Sequence, residues 1–165
     1  MRTRVFLTLT SCLALFGCGQ DGGEPAAEMP TAAPAPAPAP AAPPAIQRKP
    51  SPDGAIVYII SPEDGDVVQS PVTVVFGLAG LGVAPAGIDL PNTGHHHLLV
   101  DTELANMGLP IPADAQNIHF GLGQTEATVE LEAGEHVLRL ALGDMLHVPH
   151  DPPLISEAVT IQVVQ

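Results

Sequence analysis

Histidine is the residue type through which this chain is best equipped to bind a transition metal. Imidazole nitrogen is a ligand for Zn, Cu, Ni and Fe, and several converging imidazoles can hold these metals without a thiolate. All seven histidines of the 165-residue sequence lie between residues 95 and 150. We predict that five of them form one site, which binds copper or zinc: His95, His97, His119, His147 and His150.

The clearest spacing signal is the run of three histidines at residues 95–97. Because side chains alternate along a strand, His95 and His97 are expected on one face and His96 on the other, facing the core. His136 lies in a leucine-rich segment and is expected to be structural. The alternative for the whole set is that the histidines brace loops through hydrogen bonds and bind no metal.

Carboxylates and methionines near the histidines extend the set of candidate ligands. Four acidic residues are candidates for binding the metal or orienting the rings: Asp101, Glu126, Asp144 and Asp151. Met107 and Met145 would favour Cu(I), although single methionines usually serve packing. Protons compete with metal for imidazole, so the sequence predicts that affinity weakens as the pH falls through about 7 to 6.

The N-terminus has the features of a lipoprotein signal peptide. Two arginines precede an apolar run at residues 5–16, which is too short to span a bilayer as a helix. The run ends just before Cys18, so we predict a signal peptide at residues 1–17 and lipidation of Cys18. Cys12 is an alternative modified residue, but its apolar run would be only about seven residues long. An ordinary secretory signal is the remaining alternative.

This processing predicts the compartment and limits the chemistry. Acyl chains would tether the protein to a membrane, facing an extracytoplasmic space, and Gly19 after the cysteine favours the outer membrane. With Cys12 removed and Cys18 acylated, no thiol remains for a disulfide, a nucleophile or a metal ligand. The mature chain would carry three basic against 18 acidic residues, which excludes nucleic acid as a partner.

Composition divides the rest of the chain into a linker and a domain. Residues 18–54 are predicted to be the lipidated cysteine and a disordered Ala/Pro-rich linker, because an alternating Ala-Pro tract favours polyproline II. Residues 55–165 are predicted to form one domain, which is long enough to bury a core.

Short β-branched segments separated by glycine and proline dominate the predicted domain. They occur at residues 55–60, 72–78, 96–101, 125–131, 136–142 and 158–164, and no helical stripe accompanies them. We predict an all-β fold, an immunoglobulin-like antiparallel β-sandwich with long Gly/Pro-rich loops, with a jelly roll or small barrel as alternatives. Three long connections are expected to be functional: residues 79–93, 102–117 and 143–156.

Six motifs spread over the domain carry a resemblance to a known family: Phe76–Leu78, Gly82–Gly87, Gly94–Asp101, His119–Glu126, Gly134–His136 and Gly143–Pro153. Together they resemble a bacterial exported family that is catalogued only as a domain of unknown function. The resemblance implies an exported single-domain β protein. It implies no particular activity, substrate or cofactor.

The sequence therefore favours a lipid-anchored domain that binds a transition metal. The signatures of serine hydrolases, zinc peptidases and P-loop enzymes are not found in it. A metal-free domain that interacts with a protein or envelope partner is the second hypothesis, and a metal-dependent hydrolase is the third. Clustering of the five histidines in space would favour the first hypothesis over the second.

Overall fold

The structure is a computed structural model that describes residues 46–165. These residues form nine strands: β1 Ile56–Ser61, β2 Val67–Gln69, β3 Val72–Ala79, β4 Gly82–Val83, β5 Thr93–Val100, β6 Asn117–His119, β7 Glu126–Val129, β8 Gly134–Gly143 and β9 Val159–Val164. No helix capable of crossing a membrane occurs among the described residues. The predicted signal peptide, the lipidation site Cys18 and most of the predicted linker lie outside the described residues.

The strands form two sheets, which confirms the predicted all-β sandwich. The smaller sheet has the order β1-β3-β7, and the larger has the order β2-β9-β8-β5-β4, with β6 also paired to β5. Two pairs, β2 with β9 and β4 with β5, are parallel, whereas an antiparallel arrangement was expected. Both β2 and β4 are reached by a connection from the smaller sheet, so neither is joined to its partner by a hairpin.

The core lies between the two sheets and is built from alternating residues of both. Its fully buried members include Val74 of β3, Leu98 of β5 and Leu140 of β8. Eight alternating residues of β1, β3, β8 and β9 pack in or against this core, with Ile59 half-buried: Val57, Ile59, Val74, Phe76, Leu138, Leu140, Ile161 and Val163. Since each buried aliphatic side chain contributes about 1.5–3 kcal/mol, this alternation fixes which face of β5 is turned outward.

Strand β5 is covered on its outward face as well. There Leu99 forms a second buried cluster with Ile111 and Ala141, against which Leu104 and Ile155 pack. The connections that follow β5 and β8 therefore lie over this face of the larger sheet. Polar side chains carried on the outward face of β5 are removed from water, which is the setting of the candidate site.

The described chain is attached to the domain before the predicted boundary at residue 55. Ser51 donates a backbone hydrogen bond to Asp151 (3.0 Å), and Asp151 donates one to Lys49 (2.8 Å). Arg48 forms an ion pair with Asp151 (3.3 Å) and donates to the carbonyl of Pro149 (3.0 Å). The folded unit thus includes a short N-terminal segment that the sequence assigns to the linker.

Candidate metal centre

Strand β5 places His95 and His97 side by side on its outward face. Both side chains are fully buried, and their Nε2 atoms lie 3.1 Å apart. His96 points the other way, as predicted, with its ring 5.1 Å from that of Phe76 and its Nδ1 3.2 Å from the carbonyl of Gln124. The alternation of the strand thus separates the two site histidines from the core histidine.

Strand β6 brings the third ring to the same place. His119 is directly opposite His97 in the antiparallel pairing of β5 and β6. The ring centroid of His119 lies 5.0 Å from those of both His95 and His97. One ring nitrogen from each of these three residues lies within 4.8 Å of the others, so three imidazoles converge from two paired strands.

The turn after β8 supplies a fourth ring. The His147 centroid lies 4.9 Å from His95, 4.7 Å from His119 and 5.8 Å from His97. His147 adopts a φ of 68°, an uncommon conformation for a residue with a side chain. We call His95, His97, His119 and His147 the four-histidine cluster.

Asp144 holds the turn that presents His147. Its Oδ1 accepts hydrogen bonds from the backbone N–H of Leu146 (2.8 Å) and of Val148 (2.9 Å). The backbone N–H of His147 donates to the Asp144 carbonyl (2.9 Å), and the His147 carbonyl accepts from Ile111 (2.8 Å). These bonds stabilise the positive φ and join the turn to the connection that covers the sheet.

Not every predicted ligand lies in the cluster. His150 is buried, and its ring is not among those that contact the cluster in the described structure. Burial lowers the pKa of His150, although the carbonyl of Leu142, the charge of Asp144 and the carbonyl of Thr93 oppose this effect. His136 is structural as predicted, since its Nδ1 bonds Asp101 (2.7 Å) and its Nε2 bonds the carbonyl of Glu132 (3.0 Å).

Of the four carboxylates considered as ligands, three lie away from the turn that completes the cluster. Asp101 is paired with His136, and Asp151 is paired with Arg48. Glu126 is exposed on β7 of the smaller sheet. Only Asp144, which is 2% exposed, lies in the turn that completes the cluster.

Two glycines lie so close to the rings of the cluster that a side chain at either position would collide with them. A Cβ atom on Gly121 would lie 2.3 Å from Cε1 and 2.5 Å from Nε2 of His119. A Cβ atom on Gly143 would lie 3.1 Å from Nε2 of His97 and 3.2 Å from Cα of His147. Neither role was predicted from the sequence, although each glycine is within four residues of a site histidine.

Burial lowers the pKa of three rings of the cluster, those of His95, His97 and His119. Burial and the rings of His147 and His119 lower the pKa of His95 to about 4, with Asp144 acting in the opposite direction. Burial and the rings of His95, His119 and His147 lower the pKa of His97 to about 2. The pKa of His119 is also lowered, by burial and by His147. Proton competition at pH 6–7, expected from the sequence, therefore moves to lower pH for these three rings.

Several ring nitrogens are buried without a partner. Nδ1 of His95, Nδ1 of His97 and Nε2 of His119 have no hydrogen-bond partner among the described residues. A buried polar atom left unpaired costs about 1–3 kcal/mol. Nε2 of His95 and Nε2 of His97 have each other as partners, and each neutral ring has one lone pair and one N–H. A metal ion would accept lone pairs from these two atoms and from Nε2 of His119, with the N–H groups of His95 and His97 then on Nδ1.

The spacing of the rings fits coordination of a single ion. Two Nε2 atoms 3.1 Å apart would subtend an angle of about 100° at an ion roughly 2.0–2.1 Å from each, between square-planar and tetrahedral values. Three imidazoles have ring nitrogens within 4.8 Å of one another, and the ring of His147 packs against all three. Such a set suits Zn, Cu and Ni better than Mg or Ca.

The comparisons place the domain in a family without naming its activity. Residues 74–164 match the model of a domain of unknown function (DUF4399). These residues include β5, β6 and the turn after β8, and therefore all four histidines of the cluster. No significant match was found among curated proteins or among solved structures. Because the model covers more than half of the sequence, the chain belongs to this family of domains of unknown function.

Proposed function

We propose that the domain binds one transition-metal ion, copper or zinc, through the four-histidine cluster. The observation that carries the proposal is the convergence of four imidazoles from β5, β6 and the turn after β8. Histidines that only brace loops would each bond a nearby carbonyl, as His136 does. In the cluster, the Nε2 atoms of His95 and His97 face each other instead.

Electrostatics support a cation as the occupant. The metal-binding form of imidazole is the neutral ring, and the lowered pKa values of His95 and His97 keep them in that form at pH 7. The chain carries 18 acidic and five basic residues, so its field attracts cations. Binding of an ion through Nε2 of both rings therefore needs no net loss of a proton from them, but it does need the proton of their mutual hydrogen bond to move from Nε2 to Nδ1.

We also propose that the domain acts outside the cytoplasm, tethered to a membrane by lipid on Cys18, with the outer membrane favoured. The apolar run that ends before Cys18 supports this location. In that setting the domain would hold or buffer a metal at the envelope.

Calorimetric titration of the purified full-length protein with Cu²⁺ and Zn²⁺ tests the metal proposal. We expect one ion to bind per chain with a dissociation constant below about 10 µM, equivalent to roughly −7 kcal/mol. His97→Ala removes a central ligand and is expected to weaken binding by at least about tenfold. His136→Ala is the matched control, because His136 is bonded to Asp101 outside the cluster.

The titration also tests the alternative, a metal-free interaction domain. Exposed apolar side chains on the connections near the cluster favour that alternative: Ile88, Leu90, Leu122 and Leu146. If the wild-type protein binds neither ion at 10 µM, the metal proposal fails. Equal losses in His97→Ala and His136→Ala would show that binding takes place outside the cluster.

A further inference from the structure

We infer that Asp144 makes the four-histidine cluster selective for a divalent ion over Cu⁺. The inference rests on the proposed metal function and deepens it by naming the charge of the ion. Imidazole ligands contribute no negative charge, so an ion bound by them alone would bring its full charge into a buried site. A nearby carboxylate offsets part of that charge, and Asp144 is in the position to do so.

The position of Asp144 follows from the strand pairing. Gly143, the last residue of β8, is directly opposite His95, and Asp144 is the next residue along the chain. The Asp144 side chain is 2% exposed, so water screens its charge weakly. Its Oδ1 accepts the backbone N–H groups of Leu146 and Val148, the two residues that flank His147, so the carboxylate lies beside the turn that carries this ring.

The other fixed charges of the region are directed elsewhere. Lys49 is paired with Asp89, and Arg48 is paired with Asp151, which is 67% exposed at its side chain. Asp101 is bonded to His136 at the far end of β5. Among these groups, Asp144 alone combines burial with a place in the turn that carries His147.

Coulomb's law makes the inference quantitative. The interaction of one carboxylate with an ion is proportional to the charge of the ion, so it is twice as large for Zn²⁺ as for Cu⁺ at the same position. Removing the carboxylate should therefore multiply the Zn²⁺ dissociation constant by the square of the factor found for Cu⁺. Zn²⁺ and Cu⁺ are both d¹⁰ ions without a geometric preference from d electrons, so the comparison isolates charge.

Asp144→Asn is the variant that separates charge from turn geometry. Its amide oxygen retains an acceptor for the N–H groups of Leu146 and Val148, and only the negative charge is lost. Asp114→Asn is the matched control, because Asp114 also accepts two backbone N–H bonds, from Gln116 (2.9 Å) and Asn117 (2.8 Å), but is exposed.

The experiment measures Zn²⁺ and Cu⁺ affinities of the full-length protein by competition with chromophoric chelators, the Cu⁺ series under a reductant. Asp144→Asn is expected to weaken Zn²⁺ binding on the order of tenfold and Cu⁺ binding about threefold. Asp114→Asn is expected to change neither affinity. Equal losses of both ions, or no loss, in Asp144→Asn would overturn this inference while leaving the metal proposal intact. Wild-type protein that binds neither ion would overturn both.

Discussion

At the scale of single residues, the ring of His119 occupies the space that a side chain on residue 121 would need. A Cβ atom at Gly121 would lie 2.3 Å from the ring, well inside van der Waals contact. We expect Gly121→Ala to turn the His119 ring out of the cluster rather than unfold the domain, because a half-buried ring can rotate. Metal affinity should fall about tenfold or more while the thermal midpoint of the metal-free protein changes by only a few degrees.

Gly108→Ala provides the control for this substitution. A Cβ atom at Gly108 would meet only Asn106 Oδ1, at 3.4 Å, and no ring of the cluster. The same calorimetric titration compares both variants with wild type. A Gly121→Ala protein that binds metal like wild type would show that His119 is not a ligand.

The histidines differ in how well the sequence predicts their positions in the site. The spacing of His95 and His97 predicts their shared face, because it depends only on the alternation of a strand. The positions of His147 and His150 depend on the path of the turn after β8, and the sequence assigned both to the site. The turn bonds of Asp144 and the positive φ of His147 direct that ring inward, and no periodic pattern encodes them.

At the scale of secondary structure elements, β5 carries three buried histidines with lowered pKa values. Unfolded, these rings have a pKa near about 6.5, whereas burial and neighbouring rings lower it to about 4 in His95 and about 2 in His97. Below pH 6.5 the unfolded chain therefore binds protons that the folded chain does not. For His95 and His97 together, the free energy of unfolding should decrease by about 2 kcal/mol per pH unit as the pH falls from 6.5 towards 5.

Chemical denaturation of the metal-free protein at several pH values in this range measures the slope. The pair of His136 and Asp101 does not mask it. Burial alone would lower the pKa of His136, but the bond to Asp101 raises it overall. The stabilisation from this pair is therefore fully present below pH 6.5 and is lost only as the pH rises. A free energy of unfolding that stays constant between pH 6.5 and 5 would contradict burial of neutral histidines in β5.

Long strands could be predicted from the sequence, whereas the shortest ones could not. The segments that became β1, β3, β7, β8 and β9 are all long enough to show β-branched or alternating residues. Strands β2, β4 and β6 have two or three residues and too few positions to reveal a period of two. The start of β5 at Thr93, three residues before the predicted segment, is what brings His95 into the sheet.

At the scale of the whole molecule, the acidic charge and the proposed location outside the cytoplasm both support the hypothesis that the domain holds a metal ion at the envelope. A buried cluster of neutral imidazoles in an acidic chain would take up a cation from dilute solution. A membrane tether would keep that ion at the envelope. The tether is predicted from residues 1–18, which lie outside the described residues, so it requires a test that is independent of the domain.

Replacement of Cys18 provides that test, with Cys12 as its matched control. Thioether-linked acyl chains hold a protein at a membrane, because burial of each methylene group in the bilayer contributes about 0.8 kcal/mol of binding free energy. Cys18→Ala removes the acceptor, so the protein should lose labelling by radioactive fatty acid and leave the mature membrane-bound fraction. Cys12→Ala should label and fractionate like wild type, because Cys12 lies within the predicted apolar run and would be removed by processing. Labelling that survives in Cys18→Ala and disappears in Cys12→Ala would move the anchor to Cys12, and labelling that survives in both would contradict a lipid anchor on cysteine.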